Sequence, residues 1–248
     1  MILRRITQHV KDQNWFAVGL DFLIVVIGIL IAFQITNWNE NNSHHNAYLQ
    51  ALERLDNEIS SNLTVLEVLD KTINKELMVV QSGLDALITC TSGQDSIEAV
   101  NAAMSETRGV RGLYVRTTAL AELTTNPILL SEQSNTVRAR FADLLFYHQI
   151  ADETLTPFQP NPIVTRPAPS STLAIKSAEK YTGEYFGIDY EVFRYPIALN
   201  VAMEKACQDL ELQKWLHSWE AWHTNVLILV SKLQHEYKET QALLRQLK

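Results

Sequence analysis

An aspartate within an apolar run is the residue of this sequence whose position most clearly suggests chemistry. Asp21 lies among the 24 residues from Trp15 to Trp38, WFAVGLDFLIVVIGILIAFQITNW. Inserting a carboxylate into a membrane at such a place costs about 2.5–3.5 kcal/mol, so by default it indicates a functional site. At 100° per residue, Gly28 and Ala32 fall on the same helix face as Asp21.

Three interpretations of Asp21 stay open at this stage. Gly28 and Ala32 form a small-xxx-small pair that lets another helix approach closely, so the carboxyl can bond to a partner helix, such as a second copy of this chain. Alternatively, Asp21 reaches water at the inner interface and has no role. In the third interpretation it carries a proton or ion, because the layout of the chain resembles that of energy-transducing subunits of membrane motor complexes.

The other residues that suggest chemistry form weaker patterns. His44 and His45 are adjacent, and His217 and His223 lie six apart, whereas a helical metal site uses histidines at i and i+4. We therefore expect no metal site.

A cluster of arginines, Arg108, Arg111 and Arg116, suits either an anionic ligand or, more simply, pairing with surface carboxylates. The sequence contains no G-x-S-x-G, P-loop or Rossmann glycine pattern, so it predicts no enzyme activity and no cofactor.

The apolar run has the length of a transmembrane helix. Its 24 residues span roughly 36 Å at about 1.5 Å per residue, against a bilayer core of about 30 Å. Trp15 and Trp38 stand where interfacial aromatic anchors are expected. The run is too long for the apolar region of a cleaved signal peptide and ends without a small-residue cleavage site. It predicts a signal anchor over residues 15–38.

Basic residues predict the orientation. Arg4, Arg5 and Lys11 precede the span, and the first basic residue after it is Arg54. By the positive-inside rule, residues 1–14 are cytoplasmic and residues 39–248 are exported. Three basic and two acidic side chains give residues 1–38 a net charge of +1, so the total of −7 leaves −8 for the rest. An acidic outer domain is a poor partner for nucleic acid.

The outer domain has an all-α pattern. Apolar residues three or four apart predict a long helix at about 44–88, and shorter helices follow between 95 and 155, one of which starts at Asn126-Pro127. Five prolines predict a loop over 157–169, then a short helix at 172–181. A C-terminal helix is expected over about 197–247. We expect the two long helices to pack antiparallel in a bundle.

The two cysteines fit this arrangement. If residue 44 faces residue 248, then Cys90 lies opposite about residue 202, close to Cys207. An exported compartment favours a disulfide between them, and two buried free thiols are the alternative.

The stretch Asp21 to Glu40, DFLIVVIGILIAFQITNWNE, resembles the opening of a bacterial family of N-terminally anchored membrane proteins with no assigned activity. The segments 118–123 and 141–145 are similar to its central region. The serine-glycine junction often seen after the first helix of the family is missing here. The resemblance implies a membrane anchor and a bacterial origin.

Together these patterns favour a scaffold or accessory subunit in the bacterial inner membrane. It would form homo-oligomers or bind another inner-membrane protein through Asp21, Gly28 and Ala32. Two alternatives stay open: an ion-coupled subunit in which Asp21 titrates, and a periplasmic sensor that relays a signal through a partner protein.

Overall fold

A computed structural model describes residues 15–107, 112–155, 172–185 and 188–247 of the chain. These residues are mostly helical, in agreement with the all-α prediction. Helix α1, Trp15–Thr89, is continuous over 75 residues. At about 1.5 Å per residue it is about 110 Å long. The predicted span and the predicted helix at 44–88 are therefore two parts of one helix.

Helix α1 changes its surroundings along its length. Leu20 and the residues from Phe22 to Ala47 are exposed except for the half-buried Val26 and His44, whereas from Tyr48 onward every third or fourth residue is buried. The buried positions of the second part follow the helical repeat of an amphipathic helix. They are Tyr48, Ala51, Leu52, Leu55, Ile59, Asn62, Leu66, Ile73, Glu76, Leu77, Val80, Gly83 and Leu87.

Four shorter helices pack near or against this second part of α1: α2 (Gln94–Glu106), α3 (Thr118–Thr125), α4 (Pro127–Glu132) and α5 (Asn135–Leu155). The start of α4 follows the sequence rule for helix N-termini. The Asn126 side chain accepts a hydrogen bond from the Ile128 backbone N–H, at 3.0 Å, and Pro127 occupies the first helical position. The carboxylate of Glu58 on α1 accepts hydrogen bonds from the N–H groups of Ala119 and Leu120, and so caps α3.

The last long helix runs antiparallel to α1. Gln81 bonds to Glu220, Asn62 to Tyr237, and Gln241 to both Asp56 and Ser60. In these pairs, the residue number on α1 decreases as the residue number on the last helix increases. The described C-terminus therefore lies near residue 52 of α1, on the side of the bundle nearest the apolar segment.

Short strands connect α5 to the last helix. Strands β1 (Leu173–Ile175) and β4 (Ile197–Leu199) pair antiparallel, with Ala174 opposite Ala198. Strands β2 (Glu179–Tyr185) and β3 (Ile188–Arg194) form an antiparallel hairpin, with Tyr181 opposite Val192. A helical turn, α6 (Met203–Ala206), then precedes α7 (Leu210–Leu247).

Two secondary-structure predictions were wrong here. The segment 172–181 is not a helix but contains β1 and the start of β2, because its aromatic and β-branched residues gain from cross-strand pairs such as Tyr181 with Val192. The C-terminal helix begins at Leu210 and not near residue 197, because residues 197–199 pair with β1 instead. The predicted N-terminal cytoplasmic segment, residues 1–14, and the proline-rich loop, 157–169, lie outside the described residues.

A disulfide joins the ends of the two long helices. Cys90 directly follows α1 and Cys207 lies just before α7, and the structure bonds them with a Cα–Cα distance of 5.4 Å. Cys90 has a φ of 51°, in the left-handed region that few residues other than glycine adopt. Nearby, the Ser92 hydroxyl donates a hydrogen bond to the Glu204 carboxylate at 2.5 Å. The far end of the bundle is thus closed covalently.

Helix α2 approaches α1 most closely at Gly83. A Cβ at this position would lie 2.5 Å from the Cβ of Ala103 and 2.9 Å from the carbonyl oxygen of Ala99. We expect Gly83→Ala to push the two helices apart and to lower the free energy of unfolding by about 1–3 kcal/mol. Ser82→Ala, one residue away on the exposed side, is the matched control. Thermal unfolding of the full-length protein measures the effect. Equal Tm values for the two variants would contradict this packing.

Removing the disulfide should weaken the bundle, because Cys90 and Cys207 close a loop over a sequence separation of 117 residues. We expect the variant with both cysteines changed to serine to lose about 2–5 kcal/mol of unfolding free energy. Denaturant titrations with and without reductant measure this. Reductant should shift the midpoint of the native chain and leave that of the variant unchanged. A native midpoint insensitive to reductant would contradict the pairing.

Candidate functional site

The residues selected by sequence, Asp21, Gly28 and Ala32, lie on one face of α1, which we call the anchor face. The backbone of Asp21 is part of the helix, but its side chain is outside the described part of the structure. Apart from the neighbouring residues of the helix itself, no atom of the described chain comes within 4 Å of the Cβ that Gly28 lacks. Ala32 is exposed as well. The anchor face is therefore open to a partner.

The side chains around the anchor face are large, apolar and exposed. Phe22 is 70% exposed, Phe33 63% and Ile35 61%. Water-soluble proteins rarely expose so large an apolar surface. An 18-residue window of this helix is long and apolar enough to cross a membrane, and none of that window is buried. By length and composition, the helix can serve as a membrane anchor.

The polar residues at the end of the apolar segment fit an interfacial position. Trp38 is 71% exposed, and the side chain of Trp15 is not among those described. At about 1.5 Å per residue their Cα atoms are about 35 Å apart along the helix. The Thr36 hydroxyl donates a hydrogen bond to the Ala32 carbonyl at 3.0 Å, so it has a partner within the helix itself.

A second polar site, which the sequence did not reveal, lies inside the bundle. The Asn62 amide donates hydrogen bonds to the Tyr237 hydroxyl (2.9 Å) and the Arg116 carbonyl (2.8 Å), and its oxygen accepts the Arg116 N–H (2.9 Å). The Tyr237 hydroxyl in turn lies 2.8 Å from Nε2 of His148. Three elements and the segment before α3 thus meet in one buried network.

The hydrogen-bonding capacity of the network favours one histidine tautomer. Since the Tyr237 oxygen accepts from Asn62, the hydroxyl proton is also satisfied when it is donated to Nε2 of His148. Burial lowers the pKa of His148 to about 4, so the ring is neutral near pH 7. Burial also raises the pKa of Tyr237 above its usual value. The network is a set of satisfied neutral hydrogen bonds, which suits a structural role better than proton transfer.

A group of charged side chains binds α5 to α7 beside this network. Arg140 contacts the carboxylate of Glu236 at 2.6 Å, and also bonds to the Glu236 carbonyl and the Thr240 hydroxyl. Lys232 bonds to the same carboxylate and lies 4.3 Å from the centre of the Tyr147 ring. Burial alone would raise the pKa of Glu236, but the hydrogen bonds from Lys232 and Arg140 outweigh it and lower the pKa.

Three of the four histidines singled out by sequence have ordinary protein partners, and the fourth, His44, is half-buried. His45 pairs with Glu132 at 3.3 Å, and His217 with Glu220 at 3.7 Å. His223 is fully buried and stacks on Trp219 at 3.6 Å between ring centres. Within residues 15–107, 112–155, 172–185 and 188–247, no group of three or more His, Cys, Asp or Glu side chains is arranged to hold a metal ion.

The arginine cluster is described only in part. Arg108 and Arg111 lie outside the described residues, whereas Arg116 is exposed, with its backbone held by Asn62. A site formed by all three arginines stays a prediction.

Comparison with known proteins gives one match. The pattern of a family of unknown function, DUF6090, matches residues 21–126, which include the anchor face, most of α1, and the helices α2 and α3. No curated protein and no solved structure is significantly similar to the chain. The chain is thus similar to an uncharacterised domain family over less than half of its length.

The buried His148 should make the stability of the bundle depend on pH. The unfolded imidazole takes up a proton near its ordinary pKa of 6.5, whereas the folded one resists protonation until about pH 4. Unfolding free energy should therefore fall as pH falls from about 6.5 to 4, by about 3 kcal/mol in total. Denaturant titrations between pH 4 and 7.5 measure this.

His148→Gln should show a smaller dependence on pH over this range, because glutamine does not titrate and its carbonyl can still accept the Tyr237 hydroxyl. His217→Gln, at an exposed position of α7, is the matched control and should behave as the native chain does. An unchanged pH slope for His148→Gln would show that another group causes the dependence.

Proposed function

We propose that this chain is a membrane-anchored scaffold or accessory subunit of a bacterial inner-membrane complex, which it joins through the anchor face of α1. The single observation that carries this proposal is an exposed apolar helix segment that continues, without a break, into a covered helical bundle. The first part needs a lipid or protein environment, and the second part supplies its own core. A chain built in this way holds a folded domain at a fixed position relative to a membrane.

The proposed topology has residues 1–14 in the cytoplasm and the bundle in the periplasm. Two features support it. Arg4, Arg5 and Lys11 precede the apolar segment, and no basic residue follows it before Arg54. The disulfide between Cys90 and Cys207 also suits an oxidising compartment outside the cytoplasm.

The small residues of the anchor face support association through helix packing. Gly28 and Ala32 are four apart, and neither is covered by the described chain. In lipid, helices associate where small residues allow their backbones to approach closely. Asp21 lies seven residues before Gly28, about two turns, on the same face. A partner helix packed there would cover its carboxyl and reduce the cost of placing it in lipid.

An ion-coupled subunit is the second candidate, because an acidic residue within a span is a recurrent feature of proton pathways. The two functions make different demands on Asp21. A packing contact tolerates asparagine, which has nearly the same shape and keeps hydrogen-bonding ability. A proton carrier does not, because the amide does not titrate.

Bulk at the anchor face should break the complex. The measurement is the mass of the complex extracted from native membranes in mild detergent. We expect Gly28→Leu to lower this mass to that of a chain without its helix partner. If the complex is a homo-oligomer, that mass is 28.2 kDa. Gly19→Leu is the matched control. Gly19 is nine residues from Gly28, hence half a turn away on the opposite face, and also has open space around it.

The same extraction, followed by a proton-flux assay, separates the two candidate functions. Asp21→Asn should leave the mass unchanged if the residue makes a packing contact. If the chain instead co-purifies with a polytopic membrane protein and Asp21→Asn abolishes proton flux, the ion-coupled function replaces the scaffold. A native chain that is monomeric and alone in mild detergent would contradict association through the anchor face.

A further inference from the structure

The anchor face continues beyond the apolar segment as a row of amide side chains. Asn39, Asn42, Asn46 and Gln50 are exposed on α1, and we call them the amide stripe. Gly28 and Asn46 are 18 residues apart, which is five full turns of a helix with 3.6 residues per turn, and so are Ala32 and Gln50. Because α1 is uninterrupted between them, the two rows form one face.

This face points away from the bundle. Every residue of the amide stripe precedes a buried core residue by nine positions, and nine residues turn a helix by two and a half turns. The pairs are Asn39 with Tyr48, Asn42 with Ala51, Asn46 with Leu55 and Gln50 with Ile59. A helix could therefore lie along the stripe without meeting the parts of the described chain that cover the opposite side.

The composition of this stretch is unusual for an exposed helix. Residues 41–47, which precede the first buried residue Tyr48, contain no Asp, Glu, Lys or Arg, so they cannot form among themselves the charged pairs at i and i+4 that stabilise solvated helices. They include Asn41, Asn42 and Asn46, and asparagine is a poor helix former. A polar helix of this kind needs support from packing if it is to persist. Contact with a neighbouring helix would supply that support.

We propose that the amide stripe packs against the same stripe of a second copy of this chain, in a parallel pair. The proposal rests on the proposed function, because it extends the contact at the anchor face. Two chains inserted in the same direction place Asn46 opposite Asn46 across a two-fold axis. A carboxamide both donates and accepts hydrogen bonds, so identical amides can pair, whereas identical charges would repel.

The chemistry of the stripe favours this occupant over an unrelated partner. A charged partner surface would be matched by opposite charges, and the stripe has none. Beyond the apolar segment, the first charged residue on this face is Glu53, three residues after Gln50. Two copies of Glu53 would repel each other, so the paired region ends there. Buried asparagines in paired helices are known to fix register and number of strands, which gives the amides a function in specifying a pair.

Cysteine cross-linking in native membranes tests the pairing. The variant Asn46→Cys places a thiol on the stripe. The matched control is Asn41→Cys, because Asn41 is exposed but lies two positions from Asn39 and thus about 160° around the helix from it. The native cysteines are bonded to each other, so a short bis-maleimide reacts with the introduced thiol. We expect Asn46→Cys to give a band at twice the 28.2 kDa of one chain, and Asn41→Cys to stay at the mass of one chain.

The possible results separate this inference from the proposed function. Suppose that the chain is a homo-oligomer in mild detergent, but that Asn46→Cys and Asn41→Cys cross-link equally or not at all. This result would overturn the amide pairing and leave association through the anchor face intact. A cross-link from Asn46→Cys to a different protein would overturn the second copy as occupant and keep an accessory subunit. Loss of the Asn46→Cys dimer on adding Gly28→Leu would show that both rows belong to one interface.

Discussion

The continuity of α1 is the constraint on which the rest of the structure depends. A helix satisfies its own backbone hydrogen bonds, so it can pass from lipid into water without exposing unpaired N–H and C=O groups. Only its side chains must change with the surroundings. From Phe22 to Phe33 they are apolar all round, and from Tyr48 onward they form one buried face. Because there is no break between these parts, a rotation of the anchor face rotates the whole bundle.

The bundle is arranged to keep this helix covered on one side. Helix α7 runs back along α1, and the disulfide between Cys90 and Cys207 fixes the far end. Near the middle, Asn62 binds Tyr237 of α7, which binds His148 of α5. Buried polar groups with all partners present favour one packing arrangement over slipped ones, since a shift of one turn would leave each of them without a partner. The side facing away from the bundle stays open.

Sequence reasoning predicted the parts of the fold that depend on local periodicity. The apolar seam of α1 and the start of α4 at Asn126-Pro127 follow directly from helix rules. The pairing of β1 with β4 could not be predicted in the same way, because Leu173 and Leu199 meet only through the tertiary fold. A short apolar run such as 197–199 fits helix or strand equally well without its partner.

The site was predictable to a similar extent. Asp21, Gly28 and Ala32 share a face by helical geometry alone, and the structure adds that this face is uncovered at Gly28 and Ala32. The network of Asn62, His148 and Tyr237 was not found, because its members are far apart in sequence. One signal was present: Asn62 is a polar residue at a position where the seam of α1 calls for an apolar one. Such a residue usually marks a buried hydrogen-bonded group.

The central claim, that one unbroken helix joins the apolar segment to the bundle, is tested most directly by a distance across the junction. Spin labels at Ile35 and Asn57, both exposed, flank residues 39–47 in the full-length protein in lipid bilayers. Dilution with unlabelled chain removes distances between copies. Twenty-two residues of continuous helix place the two backbone positions about 33 Å apart. The labels add their own length, and the measured distribution should be single and narrow. A broad or clearly shorter distribution would mean that the helix bends or breaks there, and would contradict the account.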